Sequence, residues 1–334
     1  MKAFAIKTYA KHGKLELVDL PEPELGDSDV LVKVCATSVN PLDTKIRDGE
    51  FKLILPYALP LILGNDMAGV VVRLGAKVTR FKVGDEVYAR PDDDRIGTFA
   101  EFIAVKEGSL ALKPQTLSMQ EAASMPLVGL TAWQALVEKA NVQKGQKVLI
   151  HAGSGGVGTI AIQLAKHLGA TVATTTSTAN VELVKHLGAD VVVDYKKEDF
   201  ASVLQDYDVV LNTLGSAILA KSVGVLKAGG KLISISGPPD LDFAKGAKLN
   251  LALQLVMRLL SASIRRKAKR RQVSYSFLFM RAEGNQLREL AKLVDAGVIR
   301  PVIDKIYPFA EVNEAMAYVE SGRAKGKIVI KVEA

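Results

Sequence analysis

Along residues 1–120 the apolar positions alternate or cluster in short runs: AFAIKTY, KLELVDL, DVLVKVCATSV, AGVVVRLG, DEVYAR and AEFIAV. Turn sequences such as PEPELGD and KVGD separate them. This spacing predicts a compact, largely antiparallel β domain. From about Met125 the period lengthens. PLVGLTAWQALVEKA reads as a helix, and strand and helix patterns then alternate: KVLI, a helix over 159–168, TVATT, a helix over 181–187, DVVVDY, YDVVLNT, a helix over 216–226, and KLISIS. Such alternation predicts an α/β, doubly wound parallel sheet. FLFM (277–280) is expected as its last strand, QLRELAKLVDAG as an amphipathic helix, and KGKIVIKV as a closing strand. The expected organisation is a first domain of residues 1–124 and 283–334, with a second, 125–282, inserted before the C-terminal strands. The cleft between domains is the expected place for chemistry.

Residues 147–158, KVLIHAGSGGVG, give the second domain its chemistry. The apolar run Val148, Leu149, Ile150 leads into Gly153, Gly155 and Gly158 at G-x-G-x-x-G spacing, and a helical segment follows. Strand, glycine turn and helix in that order make a dinucleotide-binding fingerprint. Gly153 permits the tight turn, Gly155 lets the backbone approach a pyrophosphate, and Gly158 lets helix and strand pack closely. The helix N-terminus offers free N–H groups and the positive end of a dipole.

The next strand ends in TTTSTAN (174–180), with no acid before Glu182. NAD sites usually place a carboxylate there for the ribose 2′-OH. Against a 2′-phosphate, at ~4 Å and an effective dielectric of ~20, each such charge pair costs on the order of 4 kcal/mol. Its absence, with hydroxyls at Thr175, Thr176 and Ser177, favours NADPH. No Arg or Lys occupies the turn, so positive charge is expected from Lys185, Arg323, Lys325 or Lys327.

The composition, 49% hydrophobic and 24% charged over 334 residues, is that of a globular protein. No apolar span of membrane length is present, and the N-terminus lacks a signal-peptide core, so the expectation is a cytoplasmic or organelle-matrix enzyme. The one cysteine, Cys35, excludes an intrachain disulfide and lies in an apolar strand, where an inert thiol is expected. The net charge of +8 concentrates at RRKAKRR (265–271), just after the apolar LNLALQLVMRLLSASI. Two readings stay open there: a solvated basic helix end, or contact with a membrane surface or nucleic acid.

With NPLDTKIRDG near residue 40, GLTAWQAL, HAGSGGVG and the C-terminal GRAKGKIVI, the chain resembles the medium-chain dehydrogenase/reductase superfamily over essentially its whole length. More closely it is similar to the zinc-free quinone oxidoreductase and alkenal/enone reductase branch. The resemblance implies a GroES-like N-terminal domain and a Rossmann domain. Zinc relatives carry a catalytic Cys, a GHE motif and a four-cysteine lobe. Here Asn40 lies near the Cys position and Gly64-Asn65-Asp66 replaces GHE, so no metal ligands are expected. His12, His167 and His186 read as solvent-facing, and His151 as part of the glycine-loop approach.

The implied reaction is hydride transfer from NADPH to a quinone or to the C=C bond of an α,β-unsaturated carbonyl. Asn40 and Thr131 match the family's groups beside the nicotinamide. Lys45, where many such reductases have Tyr, offers an ammonium for the developing oxyanion, or is a surface lysine of the helix 41–48. Asp43 and Arg47 are expected to support that loop, and Tyr57 is a weaker proton-donor candidate. For the cofactor, Gly153, Ser154, Gly155, Gly156, Val157 and Gly158 are expected at the pyrophosphate. Thr176, Ser177, Tyr195 and Lys325 are expected at the 2′-phosphate, Asn212 and Leu214 along the adenine and ribose edge, and Ser236 at the nicotinamide end. Relatives commonly dimerise along the sheet edge near LISIS, which makes a homodimer a further expectation. The competing reading is an NADPH-regulated membrane- or RNA-binding protein using 265–271.

Overall fold

The computed structural model describes residues 1–332 and divides into two compact units. The first comprises Met1–Leu130 and the chain from Arg281 onward. In it β1 (Lys2–Ile6), β2 (Glu16–Asp19) and β4 (Leu61–Ile62) form a small antiparallel sheet. The larger sheet runs in the order β15 (Ile303–Pro308), β16 (Lys327–Lys331), β3 (Asp29–Val39), β5 (Met67–Leu74), β6 (Glu86–Ala89), β8 (Leu110–Leu112). β7 (Phe102–Lys106) also pairs with β3. Among the described residues of this sheet, only β15 and β16 pair in parallel.

The C-terminal strand therefore rejoins the N-terminal sheet, with Ile328 opposite Val39. Valines and isoleucines alternate inward along β3 and β16, and Phe4, Leu63, Met67, Phe99 and Met316 complete the core. Helices α1 (Pro41–Arg47), α2 (Met119–Ala123), α3 (Pro126–Trp133), α11 (Gly284–Asp295) and α12 (Val312–Glu320) accompany these sheets. Pro41 opens α1 at a position where no N–H is needed, and the Asp43 carboxylate reaches back to the Asn40 N–H at 2.7 Å.

The second unit, Thr131–Met280, begins with a π-helical turn, Gln134–Lys139, and then forms one six-stranded sheet. Its strands are β9 (Lys147–Ile150), β10 (Thr171–Thr176), β11 (Val191–Asp194), β12 (Tyr207–Asn212), β13 (Leu226–Ser234) and β14 (Ser274–Phe277). All pair in parallel, in the order β11-β10-β9-β12-β13-β14. That is the doubly wound order, with its switch point between β9 and β12. Val148, Leu149 and Ile150 are fully buried, as a central parallel strand requires.

The helices of this unit are α4 (Gly156–His167), α5 (Val181–His186), α6 (Phe200–Val203), α7 (Leu219–Val225), α8 (Leu241–Gly246), α9 (Leu251–Leu260) and α10 (Ala262–Arg270). One element differs from the sequence expectation. The last strand is SYSF, not FLFM, and the two share only Phe277. Backbone pairing with β13 selects the more polar segment, Lys231 to Ser274 and Ser234 to Phe277, and the apolar residues beyond it pack as irregular chain.

Candidate active site

β9 delivers the chain into the glycine turn at the switch point. Ala152 adopts a left-handed φ of 50°, and the turn then enters α4 with Gly155 as N-cap. A Cβ on Gly153 would lie 2.1 Å from the Thr174 Oγ1, and one on Gly158 would lie 2.3 Å from the Ala152 carbonyl oxygen. Packing of strand against helix thus demands both glycines. Gly155 is different: a Cβ there meets only the Ala152 oxygen, at 3.3 Å. The chain's own packing constrains that glycine far less than the other two, and an approaching pyrophosphate adds the stronger demand. No side chain caps α4, so the N–H groups of Gly156, Val157 and Gly158 remain as donors at the positive end of the helix. These residues fit a dinucleotide phosphate.

Around the turn the polar contacts are internal and specific. Ser154 Oγ accepts from Thr176 Oγ1 at 3.0 Å and from Asn180 Nδ2 at 3.1 Å. The Thr176 hydroxyl is buried and spent on that bond, while Ser177 is only partly buried. Tyr195, which follows β11, is 62% exposed. Asn212 is buried; its amide donates to Ser234 Oγ at 3.0 Å and accepts from the Leu214 N–H, so it orders the β12 end rather than facing outward. Leu214 is exposed. The buried Ser236 Oγ and Asn180 Oδ1 have no hydrogen-bond partner, which leaves two polar atoms beside this turn and the β13 end unsatisfied in the protein alone.

His151 is fully buried between Thr175 Oγ1 and Ser222 Oγ, each at 3.1 Å, with the Phe200 ring edge-on. Burial pushes its pKa down to about 4, so the imidazole is neutral. A carboxylate absent from the sequence reading also enters here: Asp194, from the end of β11, accepts from Thr178 Oγ1 at 2.5 Å. That hydrogen bond, the Lys196 N–H and the Lys197 ammonium at 3.6 Å hold its pKa below the usual range.

In the first unit a buried polar network surrounds Asn40. Asp66 is fully buried. Its Oδ2 accepts from Ser38 Oγ (2.8 Å), Asn40 Nδ2 (2.7 Å) and Lys327 Nζ (3.0 Å), and its Oδ1 from the Leu127 N–H (2.6 Å). Lys327 also donates to Asn40 Oδ1 at 2.5 Å. Asn65 Nδ2 donates to Asp43 at 2.7 Å, while Asn65 Oδ1 is buried without a partner. Burial raises the Asp43 pKa to about 6.

Both ends of the Asn40 amide are therefore committed inside the network. Lys327, expected as a supplier of charge to the cofactor phosphate, is an internal counter-ion instead. It is 5% exposed because β16 lies against β3 and points this side chain at Asp66. Lys185 pairs with Glu182 at 3.1 Å, and Lys325 is exposed in the first unit. Lys45 lies outside the network, 44% exposed and only loosely held by Glu50 at 3.9 Å. Thr131 is buried. Arg47 ties α1 to α12 through Glu320, and the Tyr57 hydroxyl donates to the Asp93 carbonyl at 2.6 Å.

The chain thus carries a glycine-turn Rossmann unit and, in its other unit, a β domain with a buried ammonium–carboxylate–amide cluster. Residues 26–115 match the alcohol dehydrogenase GroES-like domain, and residues 187–330 match the zinc-binding dehydrogenase family. The chain is 37% identical over 347 residues to a 2-methylene-furan-3-one reductase of Solanum lycopersicum, covering 99% of this chain and 79% of that protein. It is 35% identical over 347 residues to the NADPH-dependent alkenal/one oxidoreductase, chloroplastic, of Arabidopsis thaliana, with the same coverage. The quinone oxidoreductase of Coxiella burnetii superposes with a TM-score of 0.88 at 34% identity, over 100% of this chain and 99% of that one. The chain belongs to the medium-chain dehydrogenase/reductase superfamily, in its quinone and alkenal reductase branch.

The residues around Asn40 do not fit the zinc named in the second family. They offer amides and two carboxylates, Asp66 paired to an ammonium and Asp43 held by amide donors, with neither thiolate nor imidazole. Among the described residues, the one cluster with metal-ligand geometry is His12, Asp48 and Glu320, and Arg47 occupies both carboxylates.

Proposed function

We propose that this protein is an NADPH-dependent reductase of quinones or of the C=C bond of α,β-unsaturated carbonyls. The observation that carries the reading is the uncapped α4 N-terminus above Gly155, whose main-chain N–H groups are open to a close anionic ligand. The names of the tomato and Arabidopsis relatives support the substrate class and, for the second, the cofactor. When bound, NADPH supplies a hydride to an electron-poor carbon.

The chain's own residues bind, orient and neutralise. Gly156, Val157 and Gly158 donate main-chain N–H groups to the pyrophosphate. Ser177 and Tyr195 attend the 2′-phosphate, where the ionised Asp194 accepts from Thr178 and has Lys197 as its counter-ion. Lys325 is a further cation for that phosphate. Ser236, with its unsatisfied hydroxyl, serves the nicotinamide end. Asn40 acts as a positioning residue, fixed by Lys327 and Asp66. Thr131 flanks the nicotinamide, and Lys45, the half-exposed cation of α1, stabilises negative charge developing on the substrate oxygen. The outer edge of β14 ends its sheet, and pairing of that edge with a second copy gives a homodimer.

The test is steady-state loss of NADPH absorbance with a panel of alkenals, vinyl ketones and quinones. Turnover with at least one of these classes supports the reading. Tight NADPH binding without consumption by any of them refutes it.

A further inference from the structure

Helices α9 and α10 carry a surface that neither the core nor the reductase chemistry uses. In α9 only Met257 is fully buried, while Leu251, Leu255, Val256, Leu259 and Leu260 stand 45–83% exposed. Leu251, Leu255 and Leu259 recur every four residues and so form one ridge. An outward face this apolar inverts the pattern of a surface helix. Isolated exposed leucines are ordinary; a contiguous row marks an interaction surface.

Ser261 leads directly into α10, where Ile264 and Ala268 are buried and every cation of RRKAKRR is exposed. Among the described residues, none of these cations, nor Arg258 of α9, is engaged in an ion pair. A groove of about 720 Å³ is lined by Arg258, Arg265, Arg266 and Lys269, together with Val273 and Tyr275.

We propose that α9 and α10 dock the protein on an anionic lipid bilayer. The leucine ridge enters the boundary between headgroups and acyl chains, and the basic groove receives lipid phosphates. Each cation held at such a surface strengthens binding about fivefold. A second copy is the poorer occupant, since a two-fold contact sets the same cations against one another. A nucleic acid satisfies the cations and leaves the leucines in water. The proposal stands independently of the reductase reading.

The experiment is cosedimentation of the full chain with vesicles of phosphatidylcholine, with and without phosphatidylglycerol. Binding is expected only to the mixed vesicles. The Arg265→Gln/Arg266→Gln/Lys269→Gln variant is expected to weaken it about 100-fold, and the Leu255→Glu/Leu259→Glu variant, which removes two inserted apolar side chains, at least about 100-fold. Both sets of side chains are exposed, so thermal unfolding and NADPH binding should not change. Absence of vesicle binding, or equal binding to uncharged vesicles, overturns the proposal. So does vesicle binding insensitive to the leucine variant, with an RNA gel shift lost in the charge variant. A dimer in sedimentation velocity that the leucine variant dissociates overturns it as well.

Discussion

Replacing Lys327 by Met tests the least expected feature of the first unit. The substitution keeps the stem of the side chain and removes the ammonium that faces Asp66 at 3.0 Å and Asn40 at 2.5 Å. Removing one partner of a buried pair costs about 3–5 kcal/mol, because the remaining charge is left unpaired. Asp66 keeps three donors, from Ser38, Asn40 and the Leu127 N–H, so the low end, about 3 kcal/mol, applies. At about 2–4 °C per kcal/mol for a domain of this size, the melting temperature of the first unit falls roughly 6–12 °C. Native-state hydrogen exchange of the β3 amides reads the loss directly, without assuming that the whole chain unfolds in two states. Adding Asp66→Asn removes the orphaned charge and should restore at least half of the stability. If Lys327→Met stays within about 0.5 kcal/mol of the parent protein, as ordinary surface changes do, the ion pair is not what holds this cluster.

The other expectations concern chemistry and pH. Lys45→Met should lower kcat by about 10²–10³-fold, as for other lost oxyanion donors, with unchanged unfolding because the residue is half-exposed. Gly155→Ala should preserve the fold, its Cβ asking the Ala152 oxygen to give by only a few tenths of an ångström, and should weaken NADPH binding in a fluorescence titration because the Cβ stands where the pyrophosphate approaches. Gly158→Ala should destabilise the second unit itself, its Cβ meeting backbone at 2.3 Å. The two units should respond to acid in opposite directions. His151, lowered to about 4, stays neutral in the fold while the unfolded chain takes up a proton from about pH 6.5 downward. Protection of the β9 amides should therefore fall with falling pH through this window, by up to about 3 kcal/mol. Asp43, raised to about 6, binds a proton in the fold that the unfolded chain has already lost, so protection of the β3 amides should fall as pH rises from about 4 to 6. Equal slopes of the same sign in hydrogen exchange would contradict both assignments.

The glycine turn and the alternation of strands were readable because each is a local pattern with one physical cause. A strand, a turn that needs glycine and an amphipathic helix lie within two dozen residues. Lys327 was not readable in the same way. It is one lysine of KGKIVIKV, and its partner Asp66 lies 261 positions away; only the pairing of β16 with β3 brings them together. Asn65 and Asp66 were noticed as missing ligands, which said what the site lacks and nothing of the network that fills it. Asp194 is not legible from the β10 end, where the ribose-binding acid of an NAD site lies, because this carboxylate arrives from β11. Hydropathy ranks FLFM above SYSF as a strand, yet register with β13 is set by backbone hydrogen bonds and falls on SYSF.

Calorimetric titration of the purified protein with NADPH and NADH, side by side, tests the central claim most directly. One NADPH per chain is expected, bound at least about tenfold more tightly than NADH, a difference of about 1.4 kcal/mol. No heat of binding with either nucleotide, or a preference for NADH, would contradict it.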